Sequence, residues 1–159
     1  MSDIFKLPKG ITGFTSISDY FEVPKVSEEL IVKSITDFTN LNNNYIFISI
    51  NKPSQSNNYY SVTLLNKYEN KKQIMLFNAH YNYFCTLEEE ISWCEKVFGN
   101  ITDSIVKHLE KLDFKYLSKL TLDKVALKSD LSELAFSEKE QIEYWESKTL
   151  GEIIFNHYD

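Results

Sequence analysis

The chain contains no arginine, four glycines, three prolines and two cysteines in 159 residues. Without arginine it lacks the planar fork that grips phosphates and guanine edges bidentately, so nucleic acid is not an expected ligand. Four glycines leave little backbone for cradling a cofactor phosphate, and no dinucleotide, P-loop, nucleophile-elbow or zincin pattern occurs. Cys85 and Cys94 form no disulfide framework, and with His80 as the one nearby histidine they match no zinc spacing. Both are expected to be reduced, non-catalytic thiols. No segment approaches 18 consecutive apolar residues, and the opening MSDIFKLPKGITGF has no basic stretch followed by an apolar run. The expectation is therefore a cytoplasmic protein that makes no use of a membrane.

What is present describes a folded, acidic, aromatic-rich chain. With 43% hydrophobic and 25% charged residues it has a globular composition, and 159 residues suit a single domain with its own core. Acidic side chains number 23 against 17 lysines, a net charge of -6. Negative potential of that kind attracts basic partners and raises their encounter rate. Eleven Phe, ten Tyr and two Trp supply the large apolar side chains.

The pattern along the chain reads as α+β: an antiparallel β-meander of three to four strands packed with N-terminal and C-terminal helices. Residues 1–24 carry Ile4, Phe5, Leu7, Ile11, Phe14, Phe21 and Val23 without a period, as an irregular arm laid on the core would. Ser27 caps a helix over 28–40 with Glu28 and Glu29 in its first turn and Leu30, Ile31, Ser34, Ile35 and Phe38 on one stripe. NYIFISIN is apolar on both faces and predicts a central strand. NYYSVTLLNKY alternates Tyr60, Val62 and Leu64 against Ser61 and Thr63, and QIMLFNAHYNYFC predicts one or two more strands bent at 78–82.

Thr86-Leu87-Glu88-Glu89 has the form of a capping box and predicts a helix that Gly99 closes. A second helix follows over ITDSIVKHLEKL, its stripe formed by Ile101, Ile105, Leu109 and Leu112. FKYLSKLTLDKVAL satisfies neither the strand nor the helix period. Two further boxes, Ser137 to Glu140 and Thr149 to Glu152, predict two short helices near the C-terminus, the second with Leu150, Ile153, Ile154 and His157 on one side.

The candidate binding residues come from the aromatic and acidic clusters. Tyrosine buries much area at low entropic cost and is enriched at recognition surfaces, which singles out Tyr59, Tyr81 and Tyr83. Glu88, Glu89 and Glu90 form the first acidic group, and Glu138, Glu140 and Glu143 a second on a helix face. No carboxylate sits isolated in an apolar stretch where desolvation would fit it for acid catalysis.

The segments YWESKTLGEIIFNHYD and LPKGITGF, with NYYSVTLLN and IMLFNAHYNYFC, resemble the corresponding parts of small bacterial immunity proteins, the partners of polymorphic or contact-dependent toxins. The resemblance covers both ends and the central sheet and leaves 88–135 unmatched. It departs after Trp145, where a proline is expected and this chain has Glu146 and Ser147. It implies a protein that neutralises one toxin domain, expected here to be basic, by direct binding, with no cofactor, metal or catalytic residue. The alternative is a small enzyme or ligand-binding domain with a pocket between the sheet and the C-terminal helices. A third reading is a subunit of a larger assembly.

Overall fold

The computed structural model describes residues 5–90, 96–99 and 104–158, with Glu89 and Glu90 as backbone only. Ile4, Cys94 and Ile101 lie outside the described residues. The architecture is α+β: among the described residues there are five α-helices and a six-stranded sheet whose first five strands run as an antiparallel meander.

Helix α1 (Glu28–Leu41) starts where the Ser27 hydroxyl accepts the Leu30 N–H at 3.4 Å. It buries Ile31, Ser34, Ile35 and Phe38, while Leu30 remains half exposed. Strands β1 (Tyr45–Asn51), β2 (Tyr59–Asn66), β3 (Lys71–Asn78), β4 (Tyr83–Glu90) and β5 (Lys96–Phe98) follow in spatial as well as sequence order. Helix α2 (Ser104–Lys111) buries Ile105, Val106 and Leu109, leaving Leu112 half exposed just beyond it. The ambiguous segment divides into β6 (Lys115–Tyr116), parallel to β4, and the short α3 (Lys119–Leu122). Helices α4 (Phe136–Tyr144) and α5 (Leu150–Ile154) complete the chain.

The sheet separates two cores. Val62, Leu64, Met75, Phe77 and Phe84 pack with α1 and α2. Alternate residues Leu76, Cys85 and Leu87 pack with Leu7 and Ile11 of the arm, with Leu122 of α3, Ile142 of α4 and the apolar side of α5. Strands β3 and β4 are thus covered on both sides, which makes them the central strands. β1 is an edge strand instead. Its Tyr45, Phe47 and Ile50 join the α1 side, but Ile46 and Ile48 are 43% and 46% exposed, because the described residues of the arm and tail pack on the β3–β4 part of the sheet.

The helix expected from Thr86 is also replaced by strand. Met75 pairs with Thr86 and Ile74 with Leu87, so long-range ladder bonds outcompete the local cap. The consequence is visible at the hydroxyl itself: buried Thr86 Oγ1 has no hydrogen-bond partner among the described residues. Gly99 follows β5 rather than ending a helix, and its N–H donates to the Thr86 carbonyl at 2.8 Å.

The two C-terminal boxes fare differently. Thr149 Oγ1 accepts the Glu152 N–H at 3.3 Å and Glu152 Oε2 accepts the Thr149 N–H at 3.4 Å, as the pattern requires. Helix α4 begins two residues earlier than expected, with Ala135 as its cap and Glu138 reaching back to the Ala135 N–H at 3.1 Å. Helix α5 stops at Ile154, so His157 lies beyond it rather than on its stripe.

Three buried asparagines join the chain ends to the sheet. Asn58 and Asn78 both donate to the Ile11 and Ile154 carbonyls, at 2.7–3.1 Å. Asn78 Oδ1 accepts from the N–H groups of His80 and Tyr81, and thereby forms the bend between β3 and β4. Asn156 donates to the Thr12 and Ile153 carbonyls and gives its own N–H to Asn58 Oδ1 at 2.8 Å. Each amide is satisfied on both ends, so this polar core specifies one register of arm, sheet and tail.

Candidate partner-binding surface

The arm's path is determined by one buried carboxylate. Glu138 is 0% exposed and takes four hydrogen bonds: from the Gly10 N–H (2.7 Å), the Thr12 N–H (3.1 Å), the Thr12 hydroxyl (2.5 Å) and the Ala135 N–H. Its place in the first turn of α4 adds the favourable end of the helix dipole. Glu138 is therefore not part of an exposed acidic face, because these donors recover the solvation it loses. Gly13 continues the turn at φ +84°, where a Cβ would stand 2.7 Å from His80 Nε2.

From there the arm enters a 3-10 turn at Ile17–Asp19. Asp19 Oδ2 accepts the Ser16 N–H at 2.6 Å and the Ser137 hydroxyl at 2.5 Å. These two donors, the Ser137 hydroxyl first, hold the Asp19 carboxyl below its ordinary range. Ser137 has thus exchanged the capping role expected of it for a bond that ties the turn to α4.

The turn presents what it does not bury. Ile17 is 95% exposed and Tyr20 94% exposed, with Tyr20 in the left-handed region at φ 49°. That conformation costs an aromatic residue roughly 1–2 kcal/mol. Phe136, next to Ser137, is 72% exposed, and Tyr144 at the far end of α4 stands edge-on to Trp145 with ring centroids 5.4 Å apart. Glu22, Lys25, Lys139, Glu140 and Glu143 are exposed on the same stretches of chain. Large apolar groups rimmed by charge are the composition of a docking patch.

Of the residues expected to bind a partner, Tyr81 and Tyr83 are brought together, while Tyr59 and Glu88 stand apart from them. Tyr59 is 6% exposed and belongs to the arm-side core, against Phe155 and His157, since its position on β2 points it to the face opposite Tyr60, Val62 and Leu64. Tyr81 and Tyr83 are half-buried, with ring centroids 6.2 Å apart. The Tyr81 hydroxyl donates to the Lys9 carbonyl, and Tyr83 packs edge-on to Phe5 at 5.7 Å. Burial raises both phenols above their ordinary pKa. Glu88 is exposed at a bulge between Leu87 and Glu89, five residues from Tyr83 and so about 16 Å along the strand. The side chains of Glu89 and Glu90 lie outside the described residues.

Other chemistry-bearing side chains are engaged in structure. Cys85 is a free thiol, fully buried, and burial pushes it well above its ordinary pKa, so no thiolate is on hand. His80 Nδ1 lies 2.8 Å from the Pro24 carbonyl, to which it donates. Lys96 Nζ contacts His157 Nε2 and sits 5.0 Å over the Tyr59 ring. Burial first, and the Lys96 charge second, push the His157 imidazole down to about 4. Among the described residues, no three His, Cys, Asp or Glu side chains converge as metal ligands.

The signal that marks the turn is Ser16-Ile17-Ser18-Asp19, a polar frame around an isolated apolar residue followed by Tyr20. Neither Ile17 nor Tyr20 belongs to a periodic stripe, which is why pattern alone passes over them. In comparisons with known proteins, no family model, no curated protein and no solved structure matches the chain. No helix of the described residues is long and apolar enough to cross a membrane.

Proposed function

We propose that this chain is an immunity-type binding protein that neutralises a bacterial toxin domain by direct protein–protein contact. The observation that carries the reading is the turn at Ile17–Asp19, where two side chains stand more than 90% exposed on backbone held by Asp19. Folding gains nothing from exposing Ile17 and Tyr20 in this way, whereas a partner gains a rigid apolar anchor whose ordering cost is already met. Exposed Glu140 and Glu143 favour a basic partner, in keeping with the net charge of -6. The four segments that resemble immunity proteins point to the same class of partner.

The test is co-expression and calorimetry with a toxin domain encoded by the neighbouring gene. Binding should protect the host, and Ile17→Ala or Tyr20→Ala should each weaken it by about tenfold or more (1.4 kcal/mol) while leaving the unfolding transition in place. Unchanged affinity in both variants would remove the turn from the interface. Absence of any basic protein partner would remove the reading itself.

The second reading, a ligand-binding or catalytic domain with its pocket between sheet and C-terminal helices, rests on Lys96, His157 and Tyr59. Those groups already satisfy one another, which favours a packing role. A small molecule that raises Tm in wild type and not in Lys96→Met would revive it.

A further inference from the structure

The exposed turn hangs on the fold by a single hydrogen bond. Residues 16–20 lie between two seated rings: Phe14 packs edge-on to Tyr158 with centroids 6.0 Å apart, and Phe21 lies under Lys9 Nζ at 5.1 Å. Inside the turn the Asp19 and Tyr20 N–H groups donate to the Ser16 and Ile17 carbonyls, and the Ser16 N–H donates to Asp19 Oδ2. Among the described residues, one hydrogen bond connects residues 16–20 to the rest of the chain, the 2.5 Å bond from the Ser137 hydroxyl to Asp19 Oδ2. Ser137 Oγ also lies 3.2 Å from the Phe14 carbonyl. A serine hydroxyl has one proton to give, and the shorter contact to a carboxylate takes it. When the turn swings away, that proton can pass to the Phe14 carbonyl while Asp19 meets water, so neither group is orphaned. Release also frees Tyr20 from the left-handed region. One charge-assisted bond therefore stands against one strained aromatic residue, and the latched and released turns are close in free energy.

We infer that Ser137 is a positioning residue for the partner, which acts through Asp19 to present Ile17 and Tyr20 in one fixed orientation. The inference rests on the binding role proposed for this turn. Ser137 is half-buried and its hydroxyl faces Asp19 and Phe14, so partner contact is left to the two exposed side chains. A chain that cannot latch shows the anchor for only part of the time, and its apparent affinity falls by that fraction. Ser137 thus sets how strongly the anchor binds without supplying any of the contact.

The test compares wild type, Ser137→Ala and Ser137→Thr as full chains. Backbone amide order parameters at 16–20 report the latch with no partner present, and calorimetry with the toxin domain of the neighbouring gene reports affinity. Wild type and Ser137→Thr should give order parameters of about 0.85 in the turn, and Ser137→Ala below about 0.6. Ser137→Ala should also bind about tenfold more weakly, with recovery in Ser137→Thr and a thermal transition that moves by only a few degrees. Asp19→Ala reads the same latch from its other end if Ser137→Ala does not fold. Order parameters that stay high in a folded Ser137→Ala overturn the inference, whatever binds. So does a loosened turn with undiminished affinity, which leaves Ile17 and Tyr20 as contacts that need no latch. A toxin domain that wild type fails to bind removes the functional reading and the positioning role with it, while the order parameters still show whether Ser137 holds the turn.

Discussion

Replacing Glu138 by glutamine changes almost no volume and tests the carboxylate on which the arm is built. The two carboxylate oxygens divide four donors between them: Oε1 takes the N–H groups of Gly10 and Ala135, and Oε2 takes the N–H and hydroxyl of Thr12. A glutamine can accept on one side only. Its less costly rotamer turns the amide nitrogen toward Thr12, whose hydroxyl can rotate to accept, while the Thr12 N–H is left facing a donor. One buried unsatisfied donor costs about 1–3 kcal/mol, and the bonds to Gly10 and Ala135 lose about 1 kcal/mol each as their acceptor becomes neutral. Relief from burying a charge returns part of this, leaving a net loss of about 2–4 kcal/mol. For a chain of this size the expected fall in Tm is roughly 5–15 °C. Urea or thermal unfolding measures it, with Glu140→Gln on the exposed side of the same helix as the control, expected to move stability by no more than about 0.5 kcal/mol. A Glu138→Gln protein as stable as the control would falsify the assignment of this carboxylate as the anchor of the arm.

Stability should decline as the solution is acidified below neutrality. Burial holds the imidazoles of His157 and His80 below the ordinary value of 6.5, His157 at about 4, so the unfolded chain takes up protons that the folded chain resists. Their contribution is complete above about 6.5 and is lost as pH falls, for His157 through about 4. Tm at pH 7.5 should exceed Tm at pH 5, and His157→Gln should flatten that difference; a Tm that rises on acidification contradicts the burial assigned to these rings. Deleting 149–159 should abolish cooperative unfolding, because Leu150, Ile153, Ile154, Phe155 and Tyr158 are all buried and each is worth about 1.5–3 kcal/mol. A truncated chain that keeps a sharp thermal transition would show the tail to be dispensable.

Local chemistry made some of this legible in advance. The Ser27 cap, the alternation in β2 and the Thr149 box each depend on residues within a few positions, and each is present as read, as is the α1 stripe apart from the half-exposed Leu30. Where two local patterns competed with distant contacts, the distant contacts prevailed. Thr86 has the cap signature but sits opposite Met75 in the ladder, and Ser137 has it but bonds Asp19, 118 residues away in sequence. β1 reads as central because it is apolar on both faces, yet an apolar face does not reveal whether the chain returns to cover it. The environments of the candidate binding residues were the least legible. Tyr59 differs from Tyr60 only in parity along β2, and that parity sends it into the core. Exposure of Ile17 and Tyr20 follows from a carboxylate that no periodicity ties to them.

The opening phrase, the two strand segments and the closing segment of the chain meet in space. LPKGITGF supplies the Ile11 and Thr12 carbonyls, the two strand segments supply Asn58 and Asn78, and the last segment supplies Asn156 and the Ile154 carbonyl. These residues therefore serve the scaffold, pinning arm to sheet to tail. The proposed recognition would fall to side chains that the scaffold leaves free. Ile17, Tyr20 and Phe136 meet that condition, being more than 70% exposed and outside both cores. They are nonetheless held by the scaffold, through Asp19 to Ser137 and through Glu138 to Gly10 and Thr12. A surface arranged in this way can exchange its apolar anchors without unfolding the chain beneath. That separation is what a protein must have if its partner is to be matched by side-chain identity alone.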